Sequence, residues 1–463
     1  MLSIVKPTLR ILKYSISIKC IIILLSGRAD NILENYIIDE ARTKDALIIH
    51  DDLNPCGGSE RLAATTIQCL TEIGFNVDLA TFKMPAIIKI QKLFGIDLTN
   101  RIRKILFTNL HSILNMEEQL LNKNIDGYDL VINTHGDLLP FYEKHNGNAA
   151  DPKGKNSKIN ITYCHYPLLP YQIRNGTYRI FLEKYIQFIA SHSTVNKLFA
   201  NAFLVYNLMM NNSFILTNST FSARAIKQLY DNIQPITLSP PVDVDKFRKA
   251  TLPYYNKQNI LLVVSRFSPD KQIENALILA NLLKDKCSSE KIQKTKMIIA
   301  GNTIGLDYKY VQLLEEMILD YGLQNYVKLV SGASFDQLLY MMRKSKIYFH
   351  PLAGEPFGIS IVEAMASGLI PVVPASGGSI EFVPSEYQYH NIQEAADIVS
   401  KLLIQSKDAT NIGGLESSLK ISSLVSRFSI QSYKNNLENI INSLLKTRGV
   451  EEPVILNQPQ KRV

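Results

Sequence analysis

From residue 46 onward, short runs of β-branched and aliphatic residues alternate with stretches whose apolar positions recur at helical spacing. This is the rhythm of parallel βαβ units. The strand candidates are 46–52 (ALIIHDD), 76–82, 129–135, 161–165 and 214–219, followed by a second series at 259–267, 296–301, 326–332, 346–351 and 369–374. Helical patterns over 271–286, 306–321 and 334–345 separate members of the second series. The series restarts after LSPPVDVDKF (238–247), whose two prolines and the polar stretch to Gln258 mark a linker. The expectation is an α/β chain with two doubly wound domains, 46–240 and 241–425, behind an N-terminal extension, 1–45. Ligands of such sheets bind outside the carboxyl ends of the strands, so the crevice between the domains is the expected site.

Two stretches break the rhythm. Residues 84–118 mix Ile, Leu and Phe with Lys89, Lys92, Arg101, Arg103 and Lys104, the pattern of a basic amphipathic helix pair that can dock on a membrane surface or cover a sheet. Residues 198–212 are apolar nearly all round and read as core.

Composition adds limits. A chain of 463 residues is long enough for two cores, which agrees with the restart at the linker. Fifty Lys and Arg against forty-two Asp and Glu leave a net charge of +8, spread along the chain, which suits anionic ligands or membrane surfaces. No dense basic tract or aromatic RNA motif appears, so no nucleic-acid partner is expected. The five cysteines, Cys20, Cys56, Cys69, Cys164 and Cys287, show neither paired spacing nor C-x-x-C and read as reduced and intracellular. The longest continuous apolar run, CIIILL at 20–25, is far shorter than the roughly 20 residues a spanning helix needs. With Lys6, Arg10, Lys13 and Lys19 ahead of it, it reads as an interfacial anchor or a buried extension.

Three loops carry candidate chemistry. NPCGGSER (54–61) follows the first strand and opens a helix; Gly57 and Gly58 allow close backbone approach, Ser59 is a candidate N-cap, and the helix N-terminus favours an anion. The loop lacks both G-x-G-x-x-G and G-K-[ST], so neither NAD binding nor ATP hydrolysis is indicated. In SRFSPDKQ (265–272), Arg266 and Lys271 stand at a strand end, where two cations can clamp a diphosphate. In GEPFGISIVEAMASG (354–368), Glu355 lies in a loop and Glu363 inside the helix that follows, whose first amides near Phe357, Gly358 and Ile359 can bind a phosphate or sugar oxygen. Two carboxylates around one helix N-terminus suit a ligand with two hydroxylated rings joined by phosphates, a nucleotide sugar.

E-P-F-G-x-x-x-x-E-A-M-A-x-G, followed by P-V-V and G-G, resembles the E-x7-E signature of the retaining GT-B glycosyltransferases of family GT4. GGSER resembles the family's acceptor-side loop, SRFSPDK its phosphate-binding segment, LSPPVDVDKF its interdomain linker and RFSIQSY (427–433) its closing helix, here 426–446 with a tail at 447–463. ITYCHYPLL (161–169) resembles a segment of the lipid-linked-oligosaccharide mannosyltransferases. The resemblance implies a GT-B fold of two Rossmann-like domains, with Glu363 on the nucleotide ribose, Glu355 on the donor sugar, and Arg266 with Lys271 on the diphosphate. A strand-end histidine, His135 or His165, would meet the donor sugar or acceptor, and His350 would support the E-x7-E loop. It also implies no cofactor beyond the nucleotide-sugar donor and no obligatory metal; Asp243 and Asp245, which mimic a D-x-D metal motif, fall in the linker. The leading expectation is mannosyl transfer from GDP-mannose to a lipid-linked or glycolipid acceptor by an enzyme held peripherally at the cytoplasmic face of a membrane. A UDP-sugar donor in polysaccharide synthesis, a GT-B sugar-nucleotide 2-epimerase and a non-catalytic glycan-binding role are the alternatives.

Overall fold

The computed structural model describes residues 44–107, 127–135, 158–167, 210–211, 213–249, 252, 256–285, 295–302, 308–405 and 413–447. All but the first of the described residues belong to one unit, Asp45–Val463. The extension with its apolar run at 20–25, the residues 108–118 and 198–209, and the tail from 448 lie outside the described residues.

Two parallel sheets form this unit. The first contains β1 (Lys44–Ile49), β2 (Phe75–Thr81), β3 (Ile102–Phe107), β4 (Leu130–Asn133), β5 (Ile159–Cys164), β6 (Phe214–Thr217) and β7 (Ile236–Thr237), in the order β3-β2-β1-β4-β5-β6-β7. The second contains β8 (Gln258–Val264), β9 (Lys296–Gly301), β10 (Val327–Ser331), β11 (Ser345–Phe349), β12 (Ile370–Pro374) and β13 (Gln388–Tyr389), in the order β10-β9-β8-β11-β12-β13. Strand order reverses between β1 and β4 in one sheet and between β8 and β11 in the other, and a crevice opens at such a reversal. The central strands read as apolar runs because helices cover both faces: β11 and β12 are buried at every position.

The structure corrects the reading of 84–118. Ile87–Phe94 is a helix, but the residues carrying Arg103 and Lys104 are β3, a strand at the edge of the first sheet. Ile102, Ile105 and Leu106 fall at helical spacing because the register against β2 shifts between Val77 and Asp78, which breaks the two-residue alternation of a strand. Both arginines here have partners within the fold. Arg103 pairs with Asp45 at 3.0 Å and Asp78 at 2.8 Å, and Arg101 donates to Thr71 at 2.8 Å.

The last described helix, Ile430–Thr447, returns to the first sheet. Tyr433, Leu437, Ile441 and Leu444 lie on one face and join the core built by Leu62, Ile67 and Leu70 of the Gly58–Glu72 helix. The Tyr433 hydroxyl meets Thr66 Oγ1 at 2.7 Å, and Lys434 pairs with Glu72 at 2.8 Å. Burial of each large apolar side chain contributes about 1.5–3 kcal/mol. Ile441 is fully buried in this shared core. Ile441→Ala is therefore expected to lower stability by about 2–5 kcal/mol, read as an earlier midpoint in urea with little change in slope.

Candidate active site

The crevice between the two sheets holds a cavity of about 700 Å³, into which the loops at the carboxyl ends of β1, β8 and β11 project. Gly57, Gly58 and His165 line it from the first sheet. Arg266, Lys271, Glu355, Phe357, Gly358, Ile359 and Glu363 line it from the second. His135 is not among the lining residues; it stands at the end of β4, with Nδ1 3.0 Å from Asp51 Oδ1.

The Glu355 loop is held from behind. Gly377, at φ 95°, and Gly378 pass so close that a Cβ on either would strike the backbone of Glu355 or Pro356, and Gly378 N donates to Glu355 O at 2.8 Å. The Glu355 carboxylate receives Lys271 Nζ at 3.1 Å and faces His350 Nε2 at 3.7 Å. Burial would raise its pKa, but His350 and Lys271 outweigh that and hold it at about 2. The carboxylate is thus ionised and pinned beside the helix Ile359–Ala366, whose N-terminus no side chain caps. Arg266 is half exposed and, among the described residues, approaches Asp270 Oδ2 at 3.6 Å, which leaves its guanidinium open to an anion in the cavity.

Two features of the first helix differ from expectation. Its N-cap is Gly57, with Ser59 one position inside the helix, and the Gly57 amide is already taken by the Glu60 carboxylate, which also accepts from Ser59 Oγ at 2.7 Å. The loop therefore offers glycine backbone more than an open anion site. Gly58 instead permits contact across the crevice, because a Cβ there would lie 2.5 Å from Ile359 Cδ1. One turn on, Arg61 Nη1 reaches Glu363 Oε1 at 3.2 Å, with both side chains about nine-tenths buried, and its guanidinium lies 5.2 Å from the Phe94 ring centroid. Burial raises the Glu363 pKa, and Arg61 opposes the rise. The sequence reading missed this pair, and also Glu381, which accepts from Phe221 N at 2.8 Å and so caps a first-sheet helix from the second sheet's side.

The two histidines are set apart by their partners. His165 Nε2 lies 3.0 Å from Thr134 O, which can only accept, so Nε2 carries the hydrogen. Burial is the main cause that lowers the His165 pKa to about 4, with His135 and His50 adding to it. His50, Asp51 and His135 cluster where β1 and β4 end, with Glu60 alongside. Burial would raise the Asp51 and Glu60 carboxyls, but His135 and His50 respectively outweigh it and keep both below the usual range. Asp243 and Asp245 serve the fold: Asp243 accepts from Lys246 N at 3.2 Å, and Asp245 pairs with Arg248 at 3.3 Å.

Two facing parallel sheets, each with its strand-order reversal at the crevice, make up the GT-B fold. Anabaena HepE solved with UDP and glucose superposes with a TM-score of 0.57 at 17% identity, covering 86% of this chain and 99% of that one. The Thermosynechococcus elongatus sucrose-phosphate synthase gives 0.61 at 15% identity, covering 87% and 99%. Residues 244–414 match the family described as glycosyl transferases group 1. The chain is similar to the GDP-Man:Man(3)GlcNAc(2)-PP-Dol alpha-1,2-mannosyltransferase of Dictyostelium discoideum, 25% identical over 303 residues, 61% of this chain and 59% of that protein. It is similar to the human protein of that name at 26% over 246 residues, 50% of this chain and 49% of that protein. The chain thus spans about half to three-fifths of the length of these relatives.

His165 also yields a pH dependence. With its pKa lowered to about 4 in the fold from an ordinary 6.5, the unfolded chain takes up the proton first as pH falls. Stability supplied by neutral His165 is complete above 6.5 and is lost progressively as pH drops toward 4. The loss is at most about 1.4 kcal/mol per pH unit. Chemical denaturation of the parent and of His165→Gln at pH 7, 5.5 and 4.5 should show their difference narrowing toward acid.

Proposed function

We propose that the protein is a retaining glycosyltransferase that moves mannose from GDP-mannose onto a lipid-linked oligosaccharide. The observation that carries this reading is the placement of Glu355, Lys271 and Glu363 around one uncapped helix N-terminus in a cavity of nucleotide-sugar size. The relatives named for GDP-Man and a dolichol-linked acceptor supply the donor and acceptor classes. In this reading Glu363 binds the ribose diol and Glu355 the sugar hydroxyls. Arg266, Lys271 and the amides near Phe357, Gly358 and Ile359 hold the diphosphate. Charge grows on the leaving diphosphate in the transition state, and pre-placed cations and helix amides stabilise it there without reorganising. His165 and Gly57–Gly58 face the donor sugar and acceptor from the first sheet, with His135 behind them, oriented by Asp51.

The test is nucleotide diphosphate release from a panel of GDP- and UDP-sugars, with and without lipid-linked acceptor. Acceptor-dependent release from GDP-mannose alone is expected, and turnover of UDP-sugars instead would overturn the donor assignment. Glu363→Ala should weaken GDP binding by about 1.5–3 kcal/mol, the loss of hydrogen bonds to a charged group. Unchanged GDP affinity in calorimetry would remove Glu363 from the ribose.

A lipid-linked acceptor requires the crevice to meet a bilayer, and we propose peripheral association at the cytoplasmic face. Among the described residues no helix is long and apolar enough to cross a membrane. Met84 and Ile88 are 61% and 83% exposed beside cavity-lining Lys89 and Leu93, with exposed Lys92 on the same short helix. Apolar tips flanked by cations suit the headgroup boundary, where each cation contributes about 1 kcal/mol. Ile88→Glu with Lys92→Gln is expected to abolish salt-sensitive co-sedimentation with anionic vesicles while leaving the fold intact; equal sedimentation of parent and variant would exclude this helix as the contact.

A further inference from the structure

We propose that His50, Asp51 and His135 bind a divalent cation of the zinc class at the carboxyl ends of β1 and β4. The hydrogen bonds assign the His50 tautomer. Thr134 Oγ1 lies 3.0 Å from Ile49 O, and because a carbonyl cannot donate, the hydroxyl hydrogen points there. Thr134 Oγ1 then accepts from His50 Nδ1, 3.1 Å away, which places a hydrogen on Nδ1; in the neutral ring the lone pair is then on Nε2. His50 is fully buried, and its Nε2 has no hydrogen-bond partner among the described residues. That bare lone pair faces two carboxylates, Asp51 Oδ1 at 3.6 Å and Glu60 Oε1 at 3.7 Å.

A lone pair turned toward two anions inside a protein calls for a positive charge between them. A proton on Nε2 serves poorly, because 3.6–3.7 Å exceeds the roughly 3.2 Å limit of an N–H···O bond. Two ligands each about 2.0–2.2 Å from a four-coordinate ion stand about 3.3–3.6 Å apart, close to the spacing seen here. His135 Nδ1 sits 3.0 Å from Asp51 Oδ1, and the ligand atoms of His50, Asp51 and His135 all fall within 4.8 Å of one another. Two imidazoles and a carboxylate form a donor set that suits zinc among borderline ions. The relay from His50 Nδ1–H through Thr134 to a backbone carbonyl is the outer support that metal-bound histidines use, and Glu60 is itself anchored by Gly57 N and Ser59 Oγ. The side chains of Asp51 and His135 are about a third exposed, which leaves an approach for the ion and for a water ligand. The site stands on strand-end geometry and does not depend on the donor reading.

The test titrates the full chain, stripped by chelator and dialysed, with Zn²⁺ in a calorimeter and with Co²⁺ by visible absorption. One ion per chain is expected, with Co²⁺ giving the ligand-field bands of a nitrogen–oxygen site and no thiolate charge-transfer band. Asp51→Asn and His135→Gln, both partly exposed positions, each remove a direct ligand and should weaken Zn²⁺ binding by at least the roughly 10–100-fold that loss of an outer-shell support costs. Glu363→Ala should bind Zn²⁺ as the parent does even where GDP binding is lost, so failure at one site is distinguishable from failure at the other. The proposal is overturned by the absence of saturable binding, by thiolate charge transfer, or by unchanged affinity in both strand-end variants.

Discussion

Parallel pairing at two reversals of strand order is the constraint from which the rest follows. Where β1 lies beside β4 and β8 beside β11, the connections leave in opposite directions and cannot cover the strand ends, so backbone and polar side chains collect there. Each sheet fills its gap with titratable side chains: His50, Asp51 and His135 in one, Lys271, His350 and Glu355 in the other. The second sheet's cluster lines the cavity, and there the halves meet through a largely buried polar contact, Arg61 with Glu363.

Buried charge needs compensation, and the two glutamates of the E-x7-E segment obtain it differently. Glu355 is held within its own half by Lys271 and His350, so its ionisation does not depend on the other sheet. Glu363 is 8% exposed and draws its hydrogen-bonded cation from the opposite half. Losing Arg61 would leave a buried carboxylate without its guanidinium, which is more costly than losing an exposed ion pair. Gly58 and Ile359 pack at the same place, so the approach that allows the ion pair depends on a residue without a side chain.

Most strands were legible because both-face burial leaves continuous apolar runs between turn residues. β3 was not: a register shift put Ile102, Ile105 and Leu106 at helical spacing, and local periodicity carries no information about a neighbouring strand. β7 and β13 have two residues each, too few for any period. The loop motifs were legible for a similar reason, since Glu355, Lys271 and Glu363 lie within short segments of recognisable chemistry. Arg61 and Glu363 are separated by 302 positions, and His50 and Thr134 by 84, so only the fold could bring them together. Ser59 was read as a cap from residue type alone; Glu60 reaches the Gly57 amide and moves the helix start forward.

The helix Ile430–Thr447 completes the core of a sheet whose own strands end at Thr237. During synthesis the face formed by Leu62, Ile67 and Leu70 is therefore finished among the last described residues to be made, after the whole second sheet has been added. The first half must remain apolar-faced and incomplete through that interval, the period when partly folded chains associate most readily. A chain cut short just before this helix would carry an intact set of second-sheet strands, and its damage would appear in the opposite half, far along the sequence from the break.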